Sequence, residues 1–157
     1  YTAKVAGTER GIDEPQAAFS PCFGGPFLTL HPLRYAELLK EKLEKHGSTV
    51  YLVNTGWVGG SPSSGANRIS IKDTRNIITS ILNGSIEQSE YITEDYFNLD
   101  IPTSLKNVKT EILNPVNSWS DKQLYANTAK KLADMFKKNF NEYGPKVEHL
   151  KQFGPKI

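Results

Sequence analysis

Cysteine is nearly absent from the sequence: Cys22 is the only one among 157 residues. A single cysteine cannot form an internal disulfide bond, and it excludes a zinc site made of several cysteines. Because Cys22 lies among phenylalanines and prolines, we expect a buried or half-buried structural thiol rather than a nucleophile. Low cysteine use is typical of reducing compartments, so we predict a cytoplasmic location.

Long hydrophobic runs and a strong charge of one sign are also lacking. No apolar run approaches the roughly 20 residues that cross a bilayer, and the N-terminus has no signal-peptide pattern. The 19 basic and 17 acidic side chains leave a net charge of +2, and the lysines are dispersed. We therefore predict neither a membrane nor a nucleic acid as a partner.

The remaining composition is that of an ordinary globular domain. Hydrophobic residues make up 38% of the chain before its 12 glycines are counted. A chain of this length corresponds to about one domain. Because the chain opens on Tyr1 rather than on methionine, we expect it to be a piece of a longer protein.

The first half of the chain has the pattern of an α/β fold. A helix is predicted over residues 32–46, because proline favours the first helical position and a glycine follows the last one. Residues 49–53 are β-branched or apolar throughout, which predicts a strand buried on both faces, as in a parallel sheet. Ser70 and Asp73 form the pattern of a capping box at the start of a second helix, which ends at Gly84.

The second half is less regular until its C-terminal helix. Residues 97–101 alternate like a short edge strand, and residues 108–113 have the pattern of another extended piece. A long helix is predicted over residues 120–143, with Ser120 and Gln123 as a capping box. We expect this helix to brace one side of the domain.

Residues 54–68 form the most unusual segment, because they are numerous and rich in glycine. A glycine loop between a strand and a capped helix presents backbone amides and a positive helix end to a phosphate or another anion. The last residues of the loop, at positions 65–68, lack the Gly-Lys-Ser or Gly-Lys-Thr of a Walker A motif. A surface hairpin or insertion tip is an equally open interpretation.

Charged side chains in two segments, one after the glycine-rich segment and one near the N-terminus, suggest further roles. Arg68, Lys72 and Arg75 can contact a phosphate or a nucleotide base, although a solvated helix start explains them as well. Residues 8–10 lie between two glycines that can act as hinges of a lid, and an ordinary turn is the alternative. The three histidines have no carboxylates at metal-ligand spacing, so no metal site is predicted.

Several blocks of the sequence resemble one enzyme family along essentially the whole chain. Residues 1–11 read YTAKVAGTERG, residues 53–57 read VNTGW, and residues 68–75 read RISIKDTR. In order and in content, these blocks resemble the C-terminal portion of ATP-dependent phosphoenolpyruvate carboxykinase. Shorter blocks agree as well: CFG at 22–24, LHP at 30–32, ILNP at 112–115 and GPK at 154–156.

The resemblance implies a lyase that converts oxaloacetate and ATP to phosphoenolpyruvate, carbon dioxide and ADP, at the entry to gluconeogenesis. It implies the C-terminal part of a P-loop kinase-like nucleotide-binding domain, an α/β fold with a mixed sheet flanked by helices. It also implies Mg²⁺ and Mn²⁺ beside ATP. The family's P-loop, metal ligands and oxaloacetate-binding arginine lie upstream of this chain, which should be inactive alone.

The resemblance also assigns a nucleotide-binding role to residues of this chain. Arg68, Ile69 and Thr74 match the positions that contact the adenine and ribose region of ATP. They belong to an adenine-binding loop and helix start over residues 54–75. Family members often have Gly-Lys where residues 66–67 are Ala-Asn, so the resemblance does not extend to a phosphate contact from a lysine there.

Residues 1–18 correspond to the active-site lid of the family. Its moving part would carry Thr8, Glu9 and Arg10. Closure of such a lid excludes water from a reactive enolate.

Two other functions are compatible with the same sequence. The chain could be a stand-alone nucleotide-binding module without enzymatic activity, which would require ATP to bind the isolated chain. It could instead be a scaffold whose C-terminal helix docks a partner, which predicts an exposed apolar stripe at Leu132, Phe136 and Phe140. For the enzyme, the expected partners are oxaloacetate or phosphoenolpyruvate, ATP or ADP, the remainder of the same enzyme and, in a homo-oligomer, further copies.

Overall fold

The computed structural model describes most of the chain, namely residues 1–4, 10–11, 13, 16–20 and 24–157. The chain divides into two compact units, Tyr1–Thr49 and Val50–Ile157. Helices and short antiparallel strands build both units, and the predicted α/β class is confirmed. Among the described residues, no helix is long and apolar enough to cross a membrane.

The first unit contains a two-stranded sheet and a long helix. Strand β1 (Thr2–Lys4) pairs antiparallel with β2 (Gln16–Ala18), and a short 3₁₀ helix covers Gly25–Phe27. Helix α1 spans Pro32–His46 with its proline at the first position, so the predicted helix is confirmed. It ends at Gly47, whose φ of +61° is a left-handed conformation that costs glycine little.

The strand predicted over residues 49–53 is absent. These residues have no regular secondary structure, and Val50 and Leu52 are 57% and 81% exposed. The prediction is wrong because no strand among the described residues pairs with this segment, and a ladder needs a neighbour. Each of the three sheets in the described part of the chain has two antiparallel strands, so these residues alone do not form a larger mixed sheet.

A hairpin and a capped helix follow this irregular segment. Strand β3 (Trp57–Val58) pairs antiparallel with β4 (Asn67–Arg68). Helix α2 covers Ile71–Leu82 and begins at the predicted Ser70 cap. Gly84, with φ of +74°, follows the end of the helix, so both predicted ends of this helix are confirmed.

The middle of the second unit differs from the predicted extended pieces. Strand β5 (Tyr91–Thr93) pairs antiparallel with β6 (Asp100–Pro102), so the strand predicted over residues 97–101 overlaps β6 only at its end. Residues 108–113 are not extended, because helix α3 occupies Thr110–Leu113. A helix of one turn is too short to leave a helical period in the sequence.

Helix α4 (Pro115–Ser118) leads into the long helix α5, which spans Lys122–Asn141. The long helix is confirmed, but the predicted capping box that began at Ser120 is wrong. Asp121 is the N-cap, and its Oδ1 accepts a hydrogen bond from the backbone N–H of Leu124 at 2.9 Å. A carboxylate at this position caps the helix and, because it is negatively charged, also interacts favourably with the helix dipole. A serine hydroxyl can cap a helix but carries no charge.

The core of the second unit is small and centres on one face of α5. Tyr125, Ala129 and Ala133 lie four residues apart and are all buried, Ala133 completely. Two further apolar side chains of this unit are also buried: Ile86, and Val147 from the 3₁₀ helix Pro145–Phe153. Small alanines on the buried face allow neighbouring elements to approach the helix closely.

The apolar stripe on which the scaffold interpretation depends is not exposed. Leu132, Phe136 and Phe140 are all half-buried. The Phe136 ring meets Phe97 edge to face, with centroids 6.2 Å apart. The stripe therefore packs within the second unit, and the prediction of an exposed docking stripe is wrong.

Tyr125 connects α5 to the turn between β5 and β6. Its ring meets Tyr96 and Trp119 edge to face, each at a centroid distance of 5.7 Å. Its hydroxyl donates a hydrogen bond to Oε1 of Glu94 at 3.3 Å. Oε2 of Glu94 accepts from the backbone N–H groups of Tyr96 and Phe97 at 3.0 and 2.6 Å. One carboxylate thus joins the hairpin turn to the long helix.

Burial, and then the neighbouring Glu94 carboxylate, raise the pKa of Tyr125 above its usual range. An unfolded tyrosine loses its proton near pH 10, before the folded one does. The unfolded state therefore binds fewer protons above about pH 10, and the stability that the neutral hydroxyl contributes is lost as the pH rises further. Tyr125→Phe cannot titrate, so its free energy of unfolding should fall less steeply than that of the wild type above this pH.

Urea denaturation at pH 8 and at several values above 10 measures this difference. At pH 8 we expect the variant to be destabilised by about 0.5–1.5 kcal/mol, because one hydrogen bond is lost. Parallel curves of free energy against pH for the two proteins would contradict the prediction.

Candidate functional site

The glycine-rich segment is a β-hairpin. Its two strands place Trp57 directly opposite Arg68, and Val58 opposite Asn67. A 3₁₀ helix over Pro62–Ser64 forms the tip. The surface-hairpin interpretation of this segment is therefore the correct description of its backbone, and a binding role depends on the side chains that it carries.

Hydrogen bonds at the base of the hairpin set where the next helix begins. The backbone N–H of Gly56 donates to Oδ1 of Asn54 at 2.8 Å. The backbone N–H of Ile69 donates to the Gly56 carbonyl at 2.9 Å, which extends the pairing one residue beyond Arg68. Ile69 is half-buried, and the Arg68 side chain lies at the exposed surface.

The Arg68 guanidinium lies over the indole ring of Trp57. Its central carbon is 5.4 Å from the ring centroid, within the roughly 6 Å range of a cation–π contact. Trp57 is half-buried. Trp57 and Arg68 lie 11 positions apart, and this separation leaves no local signal in the sequence, so the motifs did not indicate Trp57 as a partner of Arg68.

Gly59 brings the hairpin against the end of helix α4. Its φ is +80°, and a Cβ at this position would lie 2.8 Å from the carbonyl oxygen of Ser118. Backbone cannot move aside as a flexible side chain can, so only glycine fits this contact. Gly65 on the other side of the tip has a similar φ of +79° but open space around it.

The side chains of Ser70 and Asp73 form hydrogen bonds at the start of α2. The Ser70 hydroxyl accepts from the backbone N–H of Asp73 at 3.0 Å and donates to Oδ2 of Asp73 at 2.6 Å. In a full capping box the longer Glu or Gln would reach the backbone amide of the cap instead. The backbone N–H of Thr74 donates to the Ser70 carbonyl at 2.9 Å, and Thr74 is half-buried.

The structure thus gathers three predicted nucleotide contacts where the hairpin meets α2. Arg68 and Ile69 leave the hairpin as neighbours, and Thr74 lies in the first turn of the helix. Lys72 and Arg75 are also exposed, and none of the three basic side chains forms an ion pair with another described residue. Unneutralised positive charge near a helix N-terminus favours an anionic or π-rich ligand.

The lid candidates are only partly described. Thr8 and Glu9 lie outside the described residues. Arg10 is exposed and stands in a turn with Gly11, whose φ is +83°. This turn belongs to the segment that connects β1 with β2.

The three histidines lie within helices or at their ends. His31 caps α1, its Nδ1 accepting from the backbone N–H of Leu33 at 3.2 Å. His46 is the last residue of α1, and His149 lies in the C-terminal 3₁₀ helix. Across the described portion of the chain, no group of three or more histidine, cysteine, aspartate or glutamate side chains could hold a metal ion.

Comparison with known proteins decides the family. The family model described as phosphoenolpyruvate carboxykinase matches residues 1–111. The chain belongs to the phosphoenolpyruvate carboxykinase family. It is 57% identical over 159 residues to the phosphoenolpyruvate carboxykinase (ATP) of Campylobacter jejuni subsp. jejuni serotype O:23/36 (strain 81-176), with 100% of this chain covered. The family resemblance of the sequence blocks is thus confirmed.

Other carboxykinases are similarly close. The phosphoenolpyruvate carboxykinase (ATP) of Sulfurimonas denitrificans is 55% identical over 161 residues and covers 100% of the chain. That of Caldanaerobacter subterraneus subsp. tengcongensis is 51% identical over 156 residues and covers 99% of it. The chain spans 30% of the length of each of these carboxykinases.

The two glycines of the hairpin offer a matched pair of substitutions. Gly59→Ala and Gly65→Ala both place a Cβ on a left-handed residue, at a cost of about 1–2 kcal/mol each. Only Gly59→Ala also meets the Ser118 carbonyl, and we expect this crowding to add about 1–3 kcal/mol. Urea denaturation of both variants measures the difference, and equal destabilisation would show that the contact with Ser118 is not tight.

Proposed function

We propose that this chain is the C-terminal part of an ATP-dependent phosphoenolpyruvate carboxykinase. The complete enzyme would convert oxaloacetate and ATP to phosphoenolpyruvate, carbon dioxide and ADP, in gluconeogenesis and in the cytoplasm. The observation that carries the proposal is identity above 50% to carboxykinases named for ATP along the whole chain. The basic, exposed junction between the hairpin and α2 adds a chemically suitable place for a nucleotide.

In this proposal Arg68, Ile69 and Thr74 bind the adenine and ribose of ATP. A guanidinium stacks on a purine or donates hydrogen bonds to it, a half-buried isoleucine supplies apolar contact, and a threonine hydroxyl donates or accepts. The loop and helix start over residues 54–75 would then form the adenine pocket. Ala66-Asn67 supplies no cation for the phosphates, which would be held elsewhere in the enzyme.

Phosphoryl transfer from ATP needs divalent metal ions, for which we propose Mg²⁺ and Mn²⁺. The described residues do not fit such a site, because they contain no cluster of suitable ligands. We therefore assign the metal ligands, together with the P-loop and the oxaloacetate-binding arginine, to other parts of the enzyme. The isolated chain should then be inactive.

The proposal also gives this chain a large surface that the remainder of the enzyme covers. Several large apolar side chains of the described residues are exposed rather than buried.

Apolar side chains within this exposed surface mark where such contacts would form. Helix α2 buries Ser80 on one side, yet Ile71, Ile78 and Leu82 on the opposite side are 72%, 39% and 82% exposed. Three exposed apolar side chains on one face of a helix are typical of a surface that another element of a larger fold covers. The apolar residues 50–53 are also without a strand partner among the described residues, because no described strand pairs with them. A strand from the remainder of the enzyme would pair with this segment.

Residues 1–18 would act as a lid that closes over the substrate. Thr8, Glu9 and Arg10 would form its moving part, and closure would keep water away from the enolate before phosphoryl transfer. The left-handed turn at Gly11 supports this role, because glycine leaves such a turn free to change its backbone angles.

Arg68→Ala tests the nucleotide site in the complete enzyme. Loss of the stacking cation should raise the KM for ATP by roughly three- to tenfold, with a smaller effect on kcat. Arg34→Ala is the control, because it removes an exposed arginine of α1 that lies outside residues 54–75. Steady-state kinetics at varied ATP concentration measures both, and an unchanged KM for Arg68→Ala would remove this residue from the pocket.

Gly11→Ala tests the lid. A Cβ at this left-handed position strains the turn by about 1 kcal/mol, and we expect kcat to fall by roughly fivefold. Gly24→Ala in the same unit is the control, because its φ is −82° and it has open space around it. Full activity of the Gly11 variant would mean that residues 1–18 form a static loop.

A further inference from the structure

Trp57 has a direct structural relation to the proposed adenine contact. The antiparallel register of β3 and β4 makes it the cross-strand partner of Arg68. Its indole lies under the guanidinium, with the central carbon 5.4 Å from the ring centroid. Without such a partner, an exposed arginine would move among many rotamers, and binding would have to immobilise it.

The indole itself is held in place by the hairpin. The Gly56 carbonyl accepts from the backbone N–H of Ile69, which keeps the two strands in register beside Trp57. Two residues further on, Gly59 lies against the Ser118 carbonyl and so fixes the hairpin on the end of α4. Trp57 is half-buried between these two constraints.

We infer that Trp57 is a positioning residue for nucleotide recognition: its indole holds the Arg68 guanidinium in one orientation, ready to stack on the purine base. A guanidinium is planar and has two faces, so it can lie on an indole with one face and on a base with the other. This inference rests on the proposed role of Arg68. It adds the residue that orients the arginine and predicts that the effect is specific for the base.

A comparison of ligands with and without a purine base distinguishes a role of Trp57 in orienting Arg68 from a general role in the fold. If Trp57 only orients Arg68, its loss should weaken ligands that carry a purine and leave a phosphate chain without a base unaffected. Inorganic tripolyphosphate is such a chain. Damage to the fold of the hairpin or of the domain would instead weaken both ligands.

The experiment compares Trp57→Leu, Trp57→Phe and Arg68→Ala in the complete enzyme. Isothermal titration calorimetry gives the Kd for ATP and the Kd for tripolyphosphate of each variant. For Trp57→Leu we expect the Kd for ATP to rise about three- to tenfold, which is the cost of immobilising one flexible side chain. Its Kd for tripolyphosphate should be unchanged, and Trp57→Phe, which keeps an aromatic face, should restore most of the affinity for ATP.

The double variant Arg68→Ala/Trp57→Leu completes the test. Because Trp57 acts through Arg68, removing the indole should have no further effect on the Kd for ATP once the guanidinium is absent. Additive effects of the two substitutions would overturn the inference, and so would equal weakening of ATP and tripolyphosphate by Trp57→Leu.

The outcomes also distinguish this inference from the proposed function. If Arg68→Ala weakens ATP binding while Trp57→Leu does not, the positioning role is wrong and the adenine pocket stands. If Arg68→Ala leaves the Kd for ATP unchanged, the proposed role of Arg68 fails, and the role of Trp57 fails with it.

Discussion

The close approach of Gly59 to the Ser118 carbonyl is the contact on which the candidate site depends most. It holds the hairpin on the end of α4, and α4 leads directly into α5. Helix α5 is joined in turn to the β5–β6 turn through Tyr125 and Glu94. The orientation of Trp57 and Arg68 therefore rests on a continuous series of contacts that ends in the small core around α5.

The second constraint is that this chain cannot cover its own apolar surface. Its buried apolar residues in the described part are few, whereas Leu52, Ile71 and Leu82 are each more than 70% exposed. Such a chain is what one expects of a part of a larger fold, and the carboxykinases that it matches are more than three times as long. The length of the matched carboxykinases and the exposed apolar side chains are independent observations, and both are what one expects of a part of a larger fold.

Local signals in the sequence were sufficient for some elements and insufficient for others. Pro32 and Gly47 bound α1, and Ser70 caps α2, because these ends depend on residues a few positions apart. The strand over residues 49–53 was predicted wrongly because a strand depends on a neighbour, and none of the described residues supplies one. For α5, serine and aspartate at adjacent positions are both good caps, and only the folded backbone selects Asp121.

The sequence by itself determined the family, the two long helices and the cap of α2, because motif blocks, helical periods and caps are all properties of neighbouring residues. Only the tertiary structure decided that the glycine segment is a hairpin, that Trp57 lies under Arg68, and that Gly59 meets Ser118. These contacts join residues from 11 to 59 positions apart, and such pairs leave no periodic or local pattern. They come together only because cross-strand register and backbone crowding place them side by side.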